Sequence, residues 1–230
     1  MNKGFVIAID GPVAAGKGTI APDLSKRLNG FYLYTGATYR SLALYCLENT
    51  IDVHDAKAVI AALDAVLIDL LDSQVFLNGK EVTEDIKRVD VARAVPKVAA
   101  IPEVRHRLVA RQQEIAARGI DEGKIIVIEG RDTATVVFPD AALKVFLTAD
   151  AEVRAKRRLS QLHGSGNAKI SLATVLADLE QRDKEDIERV TDPLVDDPEK
   201  HGYFLVDNSY LSEPDTVGII IDELKRRKLV

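Results

Sequence analysis

Four apolar runs stand out along the chain: 4–10 (GFVIAID), 125–129 (IIVIE), 143–149 (LKVFLTA) and 203–207 (YFLVD). Three of them are continuous in apolar character, as parallel strands covered on both faces are. Helical stretches lie between them. Residues 17–28 follow the first run directly. Residues 102–118 open on Pro102, apt for a first helical turn, and stop at Gly119. Residues 150–162 open on Asp150, a capping residue type. Residues 171–190 open on Ser171, and 213–228 form the last helix. Strands alternating with helices predict an α/β fold with a mainly parallel sheet flanked by helices.

One stretch breaks the alternation. Residues 66–86 (VLIDLLDSQVFLNGKEVTEDI) hold Asn78-Gly79 between short apolar pieces, which predicts a hairpin in a small β insertion. Residues 162–171 (LHGSGNAKIS) are small and polar and lie between two helices, which predicts a mobile loop.

The bulk properties narrow the classes. The chain has 230 residues, 47% of them hydrophobic, enough for one substantial core. Its 36 acidic and 31 basic residues leave a net charge of −5, a poor match for a nucleic-acid or anionic-membrane binder. The single cysteine, Cys46, has no disulfide partner and suits a reducing cytoplasm. No apolar run is long enough to span a membrane, and the N-terminal run is too short for a signal peptide. No large apolar surface helix stands out, so a monomer is expected. The four histidines, His54, His106, His163 and His201, are scattered and make no metal site.

The first strand leads into GPVAAGKGT, residues 11–19. A strand, then glycines, then a helix is the context in which a phosphate-binding loop is credible. The glycines let backbone amides approach phosphate oxygens, and the following helix points its positive end at the same place. The pattern puts Gly11, Pro12, Val13, Ala14, Ala15, Gly16, Lys17, Gly18 and Thr19 around a nucleotide triphosphate. Gly18 stands where a hydroxyl is usual, and the hydroxyl comes one place later, at Thr19. The loop alone leaves the acceptor open. A switch-type nucleotide binder would need a guanine-reading N-K-x-D motif, which is absent, and a kinase of another small molecule, such as shikimate, stays possible at this point.

Further segments follow in order: YTGATYR (34–40), PKVAAIPEVRHRLVARQ (96–112), IEGRDTATVVFPDA (128–141), RAKRRLSQ (154–161) and LEQRDKEDIERVTDPL (179–194). With the GKGT loop, they resemble the bacterial cytidylate kinases, over essentially the whole chain. The resemblance implies a P-loop kinase fold with a core of about 1–34, 96–153 and 172–230, an acceptor-binding insertion of about 35–95 and a short mobile lid of about 154–171. Several positions depart from the family pattern. Tyr34 stands for a usual Asp, Thr35 for a frequent Ser, Glu129 for Asp, and Thr133-Ala134 for an apolar residue and Gly. Pro96 stands where a base-reading Ser is common, and lacks any donor.

Transfer between two nucleotides brings two anions together, and guanidiniums grip phosphate oxygens bidentately. Arg154, Arg157 and Arg158 share one helix face by their spacing, as do Arg182, Asp186 and Arg189. The resemblance implies ATP as donor and CMP or dCMP as acceptor. By it, Thr35, Arg40, Arg105, Arg131, Arg182 and Arg189 surround the acceptor and the moving group. Arg157 closes over ATP, Asp132 accepts from the cytosine amino group, and Asp186 holds a ribose hydroxyl. Lys17, Arg131, Arg157, Arg182 and Arg189 are the expected catalytic groups. Mg²⁺ is expected on the ATP phosphates, held mostly through water.

Overall fold

The computed structural model describes residues 4–71, 74–164 and 170–230. Its elements run β1 (Val6–Asp10), α1 (Lys17–Arg27), β2 (Phe31–Tyr34), α2 (Thr35–Glu48), α3 (Ala56–Asp64), β3 (Ile68–Leu71), β4 (Gln74–Leu77), β5 (Lys80–Glu81), α4 (Val89–Ala99), α5 (Pro102–Asp121), β6 (Ile126–Glu129), β7 (Leu143–Thr148), α6 (Ala151–Gly164), α7 (Leu172–Glu188), β8 (Phe204–Asp207) and α8 (Glu213–Arg226).

Five strands form one parallel sheet in the order β2-β6-β1-β7-β8. Every residue of β1 is buried because the sheet has a layer on each face. Val6 and Ala8 face α2, α3, α4 and α5. Ile7 and Ile9 face the opposite core, with Ile20 and Leu24 of α1 and Val217, Ile220 and Leu224 of α8. The period of two in the strand thus feeds two cores, which is why its sequence shows no polar face.

The expected insertion is present. β3, β4 and β5 make a separate antiparallel sheet. Asn78 and Gly79 both have positive φ (52° and 79°), the twist-matched two-residue turn. The Asn78 side chain also braces the sheet's entry, accepting from Leu67 N and donating to the Ala65 carbonyl.

Two expectations need correction, and four elements were not expected. Helix α5 runs through Gly119 to Asp121. Gly119 lets the helix close onto β6: a Cβ there would meet Ile126 Cδ1 at 2.6 Å. The chain is turned instead at Gly123 (φ 78°), whose N–H bonds the Ile120 carbonyl. Helix α6 extends through Gly164, so 162–164 of the predicted loop are helical; its residues 165–169 lie outside the described residues. Strand β2 and helices α2, α3 and α4 had no sequence assignment. β2 is a four-residue edge strand, only Leu33 of which is fully buried, so its pattern is weak.

Candidate active site

Three neighbouring strands, β1, β6 and β2, end at the same edge of the sheet, where ligands bind in open α/β sheets. β1 delivers the glycine loop, β6 delivers Gly130-Arg131-Asp132, and β2 delivers Tyr34 and Thr35.

Gly11 sits at φ 148°, and a Cβ there would run into the Leu147 carbonyl oxygen of β7. Gly16, in the left-handed region (φ 98°), starts α1. No side chain caps this N-terminus and no acidic residue stands in its first turn. The first N–H groups of α1 are therefore free to meet an anion. Lys17 is 5% exposed, and its Nζ donates to the carbonyls of Gly11 (2.7 Å) and Pro12 (2.8 Å). Burial, then the charge of Arg131, lowers its pKa to about 7, against the pull of Glu129, Asp10 and Asp186. Gly18 and Thr19 are exposed on the first turn of α1.

The loop is braced by residues the sequence did not single out. Asn208, just after β8, donates from Nδ2 to the Ala15 carbonyl (3.0 Å). Arg157 donates to Asn208 Oδ1 (2.9 Å) and to its carbonyl (2.8 Å), and so stands beside the residue that braces Ala15. Arg154 turns inward to Val13 and Asp183. At the end of β1, the buried Asp10 accepts four hydrogen bonds. Oδ1 takes Thr133 N (2.8 Å) and Thr133 Oγ1 (2.7 Å); Oδ2 takes Ala134 N (2.8 Å) and Tyr203 Oη (2.7 Å). This sets the π turn Thr133–Val137, and with it the direction of Arg131 and Asp132. The hydroxyl of Thr133 thus has a definite partner.

Across from the loop, the expected acceptor residues converge. Arg105, 2% exposed, bonds Asp132 through Nη2 and Asp192 through Nε (2.7 Å). Arg131 Nε bonds Asp186 (2.7 Å). Arg189 donates to the Asp192 carbonyl and stands 4.0 Å from Asp132 and 3.6 Å from Asp186. Thr35 Oγ1 donates to the Glu129 carbonyl (2.7 Å). Arg40 bonds two uncharged oxygens, Tyr34 Oη (2.9 Å) and the Ile86 carbonyl (3.0 Å). Tyr34 therefore orients a guanidinium without neutralising it. Burial and the charges of Arg182 and Arg40 depress the pKa of Arg158, so the three guanidiniums lie near enough to repel one another. Arg182 has Asp178 at 3.3 Å on its exposed side. Arg158 was visible in the RAKRR run as a face-mate of Arg154, but only the fold turns it toward Arg182.

Burial pushes the pKa of Asp132 up to about 6, against the pull of Arg105 and Arg189. Among the described residues no cluster of three or more His, Cys, Asp or Glu could hold a metal ion. One carboxylate does face the start of α1: a Cβ on Gly18 would stand 3.8 Å from Glu129 Oε1, which also accepts from Tyr32 Oη (3.1 Å). Glu129 fits a hydrated cation beside the loop, not direct multidentate ligation.

Pro96 lies exposed inside α4. All four histidines are exposed.

The family model described as cytidylate kinase matches residues 7–226. A cytidylate kinase of Caldanaerobacter subterraneus subsp. tengcongensis is 40% identical over 226 residues, covering 98% of this chain and 97% of that protein. One of Desulfitobacterium hafniense is 40% identical over 232 residues, covering 100% and 93%. Among solved structures, an uncharacterized protein of Eubacterium ventriosum superposes with a TM-score of 0.52 at 13% identity, covering 96% of this chain and 98% of that one, a likeness of fold alone. With a family model matched over residues 7–226 and relatives matched over nearly their full length, the chain belongs to the cytidylate kinase family.

Proposed function

We propose that the chain transfers the γ-phosphoryl group of ATP to CMP or dCMP, giving ADP and CDP or dCDP. The observation that carries this is the uncapped start of α1 with the buried Lys17, beside which the turn after β6 sets Arg131, close enough for its charge to act on Lys17. Relatives named cytidylate kinase support the acceptor.

The loop amides and Lys17 take the β- and γ-phosphates. The charge of a triphosphate favours the protonated form of Lys17, which burial and Arg131 oppose. The basin of Arg40, Arg158 and Arg182 takes the acceptor phosphate and stabilises charge as the group moves. Arg105 and Asp132 read the cytosine, and Asp186 holds the ribose. The partners these carboxylates hold, Arg105 and Arg131, are oriented in advance of the reaction. Glu129 would hold a hydrated Mg²⁺ beside the loop, and the ion would supply charge neutralisation when bound. In this reading 35–95 is the acceptor-side insertion, and the expected lid of 154–171 lies partly outside the described residues, at 165–169. The chain works as a monomer in the cytoplasm; its exposed large apolar residues, among them Leu67, Val89, Val190 and Tyr210, are spread over separate elements, and no helix of the described residues is long and apolar enough to cross a membrane.

The test is ADP formation that depends on added CMP, followed by kcat/KM for CMP, dCMP, UMP and AMP. Preference for CMP and dCMP is expected. Preference for AMP, or no response to any of the four, would overturn the reading.

A further inference from the structure

A closed ring of hydrogen bonds joins the glycine loop to the two helices on either side of the expected lid. Val13 N donates to Asp183 Oδ1 at 2.8 Å. Asp183 Oδ2 pairs with Arg154 Nη1 at 2.6 Å. The same Arg154 Nη1 donates to the Val13 carbonyl at 2.8 Å, and its Nε to the Ala149 carbonyl at 3.0 Å. Both peptide groups of one loop residue are thus held by a single ion pair. The pair is largely buried, with side-chain exposures of 9% and 13%.

A second observation marks the same place. The next residue, Ala14, has φ 59°, a left-handed conformation that favours glycine. A non-glycine residue stays there when its surroundings over-determine it. Here the ring fixes the peptide before Ala14, and Val13 and Ala14 pack on Ala155, Val175 and Leu179 of the lid helices. Three residues beyond Asp183, Asp186 of the same helix holds Arg131. Helix α7 therefore grips the donor loop and the GRD segment through two carboxylates on one side.

We propose that Asp183 is a positioning residue for the donor site. Through Val13 and Arg154 it holds the loop in the curvature that aims the start of α1 at the triphosphate, and it couples that loop to the acceptor-binding helix. The Val13 N–H, committed to Asp183, is not itself a phosphate donor. This rests on the reading of 11–19 as the ATP site.

The experiment measures ATP dissociation constants by calorimetric titration without acceptor, alongside kcat and both KM values, for Asp183→Ala, Asp183→Asn, Arg154→Lys and the Asp183→Asn/Arg154→Lys pair. A charge-assisted hydrogen bond lost from the ring should weaken ATP binding by about tenfold or more in Asp183→Ala, with KM for CMP within about twofold of the parent. Asp183→Asn keeps an oxygen for the Val13 N–H and should fall between; it also decides the matter if the alanine variant does not fold. The double variant should be little worse than the worse single, because the ring acts as a unit. Unchanged ATP binding with only a lower Tm, or equal shifts in both KM values, would reduce Asp183 to a packing role and overturn the proposal. If the parent binds ATP but makes no ADP on addition of CMP, the proposed reaction fails while the titrations still decide the role of Asp183.

Discussion

The proposed donor loop and the proposed acceptor basin are built on opposite plans. The loop is one contiguous segment, 11–19, whose conformation is locked by bonds to its own carbonyls and to Asp183, Arg154 and Asn208. The basin is assembled from α2, α5, α6, α7 and the turn after β6, and its charges fall into two sets. Arg105 and Arg131 are paired with Asp132, Asp192 and Asp186. Arg40 and Arg158 have arginines for neighbours and, in the case of Arg40, only neutral oxygens as partners. Paired arginines are placed in advance and bring carboxylates that can read a base or a sugar. Unpaired ones keep their charge for the group in flight, where stabilisation is worth most.

The largest effect should come from the loop. Lys17→Ala removes the fixed charge on the β/γ side and should lower kcat by about 10²–10³-fold. Its Tm should hold, since a buried ammonium is itself unfavourable. A kcat within about tenfold of the parent would remove the loop from the donor site.

Next, Arg182→Ala should lower kcat by about 10- to 100-fold and raise KM for CMP, as expected for a lost charge-assisted contact. Arg189→Ala should change both less, because Arg189 already spends its donors on the Asp192 carbonyl. If the two variants were equal, the commitment of Arg189 to the Asp192 carbonyl would not matter to the reaction; if only KM for ATP moved, the acceptor-side placement of Arg182 would fail.

The pH profile tests the paired set. With the folded pKa of Asp132 near 6, above the ordinary 3.8, the folded protein holds the extra proton between those values. Its charged form is therefore unfavourable for stability above pH 6, and that penalty fades as pH falls from 6 toward 3.8. Recognition of the cytosine amino group needs the charged form. At saturating ATP, kcat/KM for CMP should fall as pH drops through about 6, approaching tenfold per unit below it. Asp132→Asn should lower the plateau and flatten this limb. A limb that persists in that variant belongs to another group.

Pro96→Ser should have the smallest effect. A single added hydrogen bond would improve kcat/KM for CMP by about 2- to 13-fold, with UMP still disfavoured by Asp132. No change for any substrate would separate position 96 from base reading, in line with its exposure on α4.

Much of the fold could be read from the chain alone, for identifiable reasons. β1, β6 and β7 are buried on both faces, so their apolar runs are continuous. Asn78-Gly79 carries its own turn chemistry. β2 was missed because an edge strand with one fully buried residue leaves little pattern. Helix α5 outran Gly119 because that glycine answers to Ile126, a residue of β6, not to its own helix.

The proposed donor loop is legible because its parts are adjacent in sequence: glycines, a lysine and a helix start act through backbone geometry that neighbouring residues dictate. The arginines named by resemblance carry no such information about their partners. Whether an arginine is neutralised or left charged depends on which side chain from a distant segment stands beside it. Arg105 meets Asp132 and Asp192, 27 and 87 residues away, while Arg40 meets a phenol six residues before it and a carbonyl 46 residues on. Asp10, Asp183 and Asn208 carry no local signature at all. A lone carboxylate or amide gains its function only when packing removes water and brings the donors of Thr133, Val13 or Arg157 within bonding distance, and that is a property of the tertiary structure.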